Sequence, residues 1–467
     1  MIKVTCSKDL YTYNAYHLAK AFFPDEAAKV FTDVSQDASV IFDIGGNVTA
    51  VPALNTKDEV DKSIYHALSS ITGRTLPWGL LTGVRPVKPA MTKLKEGMSR
   101  EEFISWYGEN KLVSSEKAAL AYDIAQKELC ILDRINPAGS WSGTCSIYIG
   151  IPFCPSICSY CSFSLGTADR YADKLDAYAA ALCREIEGTA KLCAGREIYS
   201  IYIGGGTPTS LSAPQLERLL ICINRNFDIS SLKEFCIEAG RPDSITEEKL
   251  EVMKRYGAGR ICINPQTMQQ ATLEETGRLH SADDVYKAFY AAREAGFDNI
   301  NMDLIAGLPG ETAADMADTV KKVLDLCPES LTVHALSIKR RAQMESQSAP
   351  EGTVSEMIDT ARKKARAAGM EPYYLYRQKS IAGNFENTGY AKPGKEGIYN
   401  ILTMEEVQTI YGLGAGAETK FVLARAVPNP SRGGKSAKIL RSANVKNVEE
   451  YIRNTDEMIN RKRFEII

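Results

Sequence analysis

From residue 145 onward the chain repeats one pattern six times: a short run of β-branched and aromatic residues, then a stretch of helical period. The runs are 146–151 (SIYIGI), 198–205 (IYSIYIGG), 233–239 (KEFCIEA), 259–265 (GRICINP), 297–305 (FDNINMDLI) and 330–338 (SLTVHALSI). After the first, Tyr171, Leu175, Tyr178, Leu182 and Ile186 recur at spacings of three or four, which is one face of a helix. Ser212/Gln215 and Ser244/Glu247 read as capping boxes that start helices, and Ser281/Asp284 and Thr312/Asp315 as shorter versions of the same signal. Parallel neighbours need a crossover of this length, whereas antiparallel ones need only a tight turn. Six such units, with nothing to mark a reversal of strand order, predict an α/β fold: a partial (βα)6 TIM-like barrel rather than an open doubly wound sheet. Chemistry in such a barrel sits on the loops after the strand C-terminal ends.

The flanks read differently. Residues 1–140 mix short alternating segments with helices near 9–22, 57–72 and 115–132, the pattern of a small α+β accessory domain. Within it, 76–88 (LPWGLLTGVRPVK) is apolar and punctuated by Gly and Pro, and reads as a loop docked on the barrel. Residues 136–143 read as a linker, 141–370 as the barrel core, and 371–467 as a loop-rich extension covering the barrel mouth. The formal net charge of -2 offers no basic footprint for nucleic acid. No run reaches the roughly 18–20 apolar residues of a membrane span, and the N-terminal stretch lacks a signal-peptide core. A cytoplasmic protein is expected.

Most of the twelve cysteines stand alone and read as small buried hydrophobes. One group does not. Cys154, Cys158 and Cys161 form a CxxxCxxC set directly after the first barrel strand. Thiolates suit zinc and iron alike, but zinc sites usually close with four ligands, and no second Cys or His pair accompanies this loop. An iron–sulfur cube held by three thiolates leaves one iron open. The spacing favours that open cluster over zinc. Other strand ends carry polar or glycine positions: Gly204, Gly205, Gly206, Thr207 and Pro208 after the second run, Glu238 and Gly240 after the third, Gln266 and Arg278 after the fourth, and Asp303 in the fifth. The glycine run is expected to let backbone approach a ligand and offer amides to its carboxylate. Each residue alone reads as a cap or a surface charge; at consecutive strand ends they form one mouth.

The cysteine motif resembles the signature of the radical S-adenosylmethionine (SAM) superfamily. There the open iron is chelated by the amino and carboxylate groups of SAM, and one electron from the cluster cleaves it to a 5′-deoxyadenosyl radical. YIGIPFCPSICSYC, IGGGTPTSL, GRLH and MDLIAGLPGE resemble the oxygen-independent coproporphyrinogen III oxidases and heme chaperones over about residues 145–440. LTGVRP, INPQT and YNILTMEE are similar to the HemZ-type branch of coproporphyrinogen dehydrogenases. The resemblance implies a [4Fe-4S] cluster on Cys154, Cys158 and Cys161. It implies SAM contacts from Tyr148, Phe163, Gly205, Gly206, Thr207, Glu238, Gln266, Arg278, Asp303 and Ala335. The implied reaction is oxidative decarboxylation of two propionates of coproporphyrinogen III, giving protoporphyrinogen IX in heme biosynthesis, with an electron donor such as flavodoxin or ferredoxin. A tetrapyrrole with carboxylates calls for cations at the mouth: Lys339, Arg340 and Arg341 after the sixth strand, and Arg377 and Lys379 beyond, with Tyr373, Tyr374 and Tyr376 to pack on the ring. Three positions depart from the family pattern. Phe163 stands where the oxidases have a further cysteine, and Gly150 where they have a histidine. Glu386 stands where heme chaperones carry the histidine of HNxxYW. A heme chaperone and a heme-modifying radical protein are the alternative readings.

Overall fold

A computed structural model describes residues 1–24, 26–338, 342–344, 351–378, 384–429 and 436–463, with the side chain of Glu351 excepted. A four-stranded sheet opens the chain: β1 (Ile2–Cys6), β2 (Ala28–Thr32), β3 (Val40–Ile44) and β4 (Asn47–Val51), in the order β2-β1-β3-β4. Ile2, Val4 and Cys6 of β1 and Val40 and Phe42 of β3 are buried, the period-two pattern of a sheet covered on one face. Helices α1 (Asp9–Phe22) and α2 (Lys57–Thr72) cover it, sharing one apolar cluster with those strands.

Three helices follow: α3 (Lys88–Lys95), α4 (Arg100–Lys111) and α5 (Ser115–Ile135). Sequence reading finds α5 but not α3 or α4. The reason is local: α4 buries only Phe103 and Tyr107, so its periodicity is faint, and the capping box of Ser99 with Glu102 starts it. These helices pack round Trp78, Phe103 and Tyr107, in a cluster that also takes in Leu375 of the large sheet.

That sheet carries the six predicted strands: β5 (Thr144–Ile151), β8 (Glu197–Gly205), β9 (Glu234–Gly240), β10 (Arg260–Gln266), β11 (Ile300–Ala306) and β12 (Ser330–Ala335). A two-residue pair, β6 (Phe153–Cys154) with β7 (Gly166–Thr167), lies between the first two in sequence. The six are parallel and adjacent in chain order, so the sheet never reverses. Helices α6 (Leu175–Leu192), α7 (Ala213–Asn226), α8 (Glu247–Arg255), α9 (Gln270–Glu275), α10 (Ala282–Glu294), α11 (Ala313–Asp325) and α12 (Glu351–Ala367) fill the crossovers and follow the last strand. Capping boxes start α7 at Ser212, α10 at Ser281 and α11 at Thr312. The expected box at Ser244 is absent: Thr246 caps α8, because Ser244 is turned inward onto the Arg241 carbonyl and Thr209.

The expectation of a loop-rich C-terminal region is overturned. Strands β13 (Glu371–Tyr376) and β14 (Asn387–Ala391) extend the sheet beyond β12, with β14 antiparallel to it. On the other edge β15 (Thr409–Leu413) runs parallel to β5, followed by β16 (Glu418–Pro428) and β17 (Ser436–Ala443). The complete order is β13-β14-β12-β11-β10-β9-β8-β5-β15-β16-β17. Helix α13 (Ile398–Glu405) begins on a buried carboxylate: both oxygens of Glu234 accept amides, from Ile398 at 2.9 Å and Tyr399 at 3.0 Å. Helices α14 (Val448–Arg453) and α15 (Thr455–Asn460) are held to α6 by Glu185, fully buried, which accepts from Lys462 at 2.5 Å and Tyr451 at 2.6 Å. Among the described residues no helix is long and apolar enough to cross a membrane.

Candidate functional site

The cysteine loop is short and heavily tied. Strand β5 ends at Ile151, and the β6–β7 pair closes the loop behind Cys154. Ser156 Oγ donates to the Gly277 carbonyl at 3.0 Å, and the Ser159 amide to the Thr276 carbonyl at 3.0 Å. The loop is thereby fastened to the segment that carries Arg278. Each sulfur receives a donor. Thr207 Oγ1 lies 3.4 Å from Cys154 Sγ, and the Phe163 amide 3.4 Å from Cys161 Sγ. Arg278 Nη1 and Arg241 Nη1 lie 3.6 and 3.8 Å from Cys158 Sγ. At Cys154 burial pushes the thiol up, and Thr207 and Ser164 only partly offset that rise. Among the described residues no three His, Cys, Asp or Glu side chains converge on a single-ion site. A cube takes each thiolate on a different iron, so its ligands need not converge.

The three cysteines line a cavity of about 340 Å³ at the C-terminal ends of the parallel strands. Tyr148 of β5, Gly205 of β8, Glu238 of β9, Gln266 of β10, Asp303 of β11 and Ala335 of β12 all face it, joined by Phe163, Gly206, Thr207 and Arg278. A single cavity touched by six consecutive strands requires the sheet to curve round it, as a partial barrel does. The structure thus brings together every expected cysteine and SAM contact.

Glycine is needed here for close approach. At Gly206 a Cβ would stand 2.5 Å from the Phe153 carbonyl oxygen, and Gly205 holds φ +113°. The expected offer of amides is not met. The Gly206 and Thr207 amides donate to the Ile151 and Phe153 carbonyls at 2.7 Å each, and the Gly205 amide serves Glu238. Unpartnered polarity comes instead from Gln266 Oε1, Asn264 Oδ1 and Arg278 Nε, all buried without a protein partner. Buried polar atoms left open in a cavity are what a polar ligand would satisfy.

Below the mouth Tyr148, Tyr202 and Tyr399 stack, with Tyr202 and Tyr399 centroids 4.5 Å apart. The Tyr202 hydroxyl donates to Glu238. Burial pushes the Glu238 carboxyl up to about 7, and neighbouring Asp303 adds to the rise. For Asp303 burial also pulls upward, but His334, Asn301 and Thr332 outweigh it and hold the carboxyl below its ordinary value. His334 Nε2 lies 3.8 Å from Asp303 and its Nδ1 3.4 Å from the Tyr376 hydroxyl. His334 and Arg241 both line the cavity, and neither is among the cofactor contacts that the resemblance implies. His334 follows the inward alternation of β12, a signal that was available; Arg241 follows a glycine after β9 and carried none.

Of the expected substrate cations only Arg377 lies among the described residues. Lys339, Arg340, Arg341 and Lys379 lie outside the described residues. Arg377 is turned away. Its guanidinium is buried, donating to the carbonyls of Leu81 and Asn384, while its own amide donates to Val84. Burial lowers its pKa to about 10. It fastens the 76–88 loop to the sheet, because a buried guanidinium must spend its donors on nearby carbonyls. Of the three tyrosines only Tyr376 lines the cavity; Tyr373 and Tyr374 are packed in the sheet interior. Glu386 is sealed as well, accepting from Trp78 Nε1 at 2.7 Å and Lys117 Nζ at 2.6 Å.

Comparison with known proteins agrees with this geometry. Residues 148–323 match the family model described as the radical SAM superfamily. The oxygen-independent coproporphyrinogen-III oxidase-like protein HemZ of Bacillus subtilis (strain 168) is 40% identical over 374 residues, 78% of this chain and 74% of that protein. The chain belongs to the radical SAM superfamily, among the oxygen-independent coproporphyrinogen III oxidase-like proteins. Radical SAM proteins use a [4Fe-4S] cluster and SAM. The heme chaperone HemW of the same organism is 35% identical over 280 residues, 58% of this chain and 70% of HemW. The structure of coproporphyrinogen III oxidase (HemN) from Escherichia coli aligns with a TM-score of 0.55 at 23% identity, covering 71% of this chain and 73% of that one, which shows a shared fold. The residues of the cavity fit these cofactors: three thiol sulfurs each with a donor, and open polar atoms beside them.

Proposed function

We propose that this protein is a radical SAM oxidoreductase performing the oxygen-independent oxidative decarboxylation of coproporphyrinogen III to protoporphyrinogen IX in porphyrin biosynthesis. Cys154, Cys158 and Cys161 would hold the [4Fe-4S] cluster. Tyr148, Phe163, Gly205, Gly206, Thr207, Glu238, Gln266, Arg278, Asp303 and Ala335 would contact SAM. When bound, the two cofactors supply a one-electron cleavage that makes a hydrogen-abstracting radical. The chain's own residues seclude and orient. Tyr148 lines the cavity, and Tyr202 and Tyr399, which do not, stack with it. Glu238 and Asp303, with pKa values pushed apart, give one carboxyl near neutrality and one that stays ionised.

The observation that carries this reading is the single cavity faced by the cysteines and all ten proposed SAM contacts, on a chain 40% identical to HemZ. The name of that relative supports the substrate. Anaerobic assay of reconstituted protein with reductant, SAM and coproporphyrinogen III tests it: vinyl products are expected by mass spectrometry. Formation of 5′-deoxyadenosine with no vinyl product removes this substrate. A cytoplasmic flavodoxin or ferredoxin would serve as electron donor.

A second reading, heme carriage, draws on the likeness to HemW. The buried engagement of Glu386 with Trp78 and Lys117 weighs against a ligand at that position. A heme titration decides it: no Soret band is expected, and stoichiometric binding would favour carriage.

A further inference from the structure

Cys158 differs from its two neighbours in what surrounds its sulfur. Thr207 and a backbone amide, both neutral, serve Cys154 and Cys161. Cys158 meets two guanidinium groups. Arg278 belongs to the proposed SAM set. Arg241 does not, and its geometry is the more fixed of the two. It is 3% exposed. Asp243 grips it bidentately, Nε to Oδ1 at 2.9 Å and Nη2 to Oδ2 at 2.6 Å. Its remaining Nη1 donates to Ser156 Oγ at 2.5 Å and the Ser156 carbonyl at 3.2 Å, and points at Cys158 Sγ. The fork can hold three partners at once only because its donors are planar and fixed.

The neighbouring charges are few. His280 is buried between these groups, 4.0 Å from Asp243, with neither ring nitrogen partnered. Burial and then Arg278 push its pKa down to about 3, so it adds no charge. Asp243 offsets one of the two guanidinium charges. The balance of Arg241, Arg278 and Asp243 beside the Cys158 sulfur is therefore positive, in a buried site where charge is less screened than in water.

We propose that Arg241 is a positioning residue for the cluster: its guanidinium, aimed by Asp243 at the Cys158 sulfur, stabilises the reduced cluster and raises its reduction potential. The inference rests on Cys158 being a cluster ligand. Reduction adds one negative charge to the cube and its sulfurs. Hydrogen bonds to those sulfurs and nearby positive charge favour that state. Removing Arg241 leaves the added charge less compensated, and the potential falls.

The test uses full-length protein reconstituted anaerobically, without SAM, so that SAM anchoring plays no part. Iron and sulfide content come first; then the one-electron potential is read by EPR-monitored titration. Wild type should carry a [4Fe-4S] cluster. If it carries none, the assignment of the cysteines fails, and the Arg241 inference fails with it for that separate reason. Arg241→Gln should keep its iron and shift the reduction equilibrium at least tenfold toward the oxidised form, about 59 mV downward. An intact cluster with an unchanged potential overturns the proposal. Should Arg241→Gln not fold, Arg241→Lys carries the test. One ammonium cannot serve Asp243, Ser156 and Cys158 together, so a shift of threefold or more in the same direction is expected; a smaller one overturns the proposal.

Discussion

The barrel mouth and the join between the N-terminal helices and the sheet are both polar and both buried, yet groups singled out in the two are partnered differently. At the join the named groups are partnered: Glu386 takes Trp78 and Lys117, and Arg377 takes the Leu81 and Asn384 carbonyls. At the mouth Gln266 Oε1, Asn264 Oδ1 and Arg278 Nε are left open. A closed set of partners marks a group that holds the fold together. An open set that also lines a cavity, as these three do, marks a place for something else to bind. Arg377, expected at the mouth and found at the join, shows that a cation's partners and not its charge decide its role.

The contrast can be broken by mutation. The largest effect belongs to the mouth: Cys158→Ala should abolish both iron incorporation and reductive SAM cleavage, while Cys183→Ala, on α6, spares both; iron analysis and 5′-deoxyadenosine assay read the difference. At the join, Lys117→Met should cost roughly 3–5 kcal/mol in denaturant unfolding, because it leaves the Glu386 carboxylate buried beside one neutral donor. Glu238 sharpens the comparison through pH. Its carboxyl is raised from 4.5 to about 7 by burial, so folding favours the protonated acid. Its contribution to stability is full below pH 4.5, declines by about 1.4 kcal/mol per pH unit, and is lost above about pH 7. Wild type should lose ~3 kcal/mol across that window relative to Glu238→Gln. The smallest effect has the opposite sign: Gln266→Met should stabilise the cofactor-free protein by about 1 kcal/mol, since it removes an unsatisfied buried oxygen, while weakening SAM binding in calorimetry. The same change of polar residue to Met thus destabilises at the join and stabilises at the mouth.

The six barrel strands and the residues at their ends were legible because each lies in a local signal: an apolar run, a capping pair, a motif at a strand end. The cavity takes in the cysteines and the named strand-end residues other than Gly204 and Pro208. What was not legible depends on distant partners. Strand β14 reads NTGYA, with no β-branched run, and becomes a strand only between β12 and β13, with Gly389 leaving room for the Tyr374 ring. Likewise Ser244 looks like a cap until Thr209 and Arg241 claim it. Arg241 itself looks like a loop charge until Asp243 aims it.

The central claim is a cluster with one iron free of protein ligands, facing SAM at the mouth. EPR of the reduced, reconstituted protein before and after adding SAM tests it most directly. The account predicts a [4Fe-4S]-type spectrum that changes on SAM addition. A spectrum indifferent to SAM, or a colourless protein holding zinc and no iron, would contradict it.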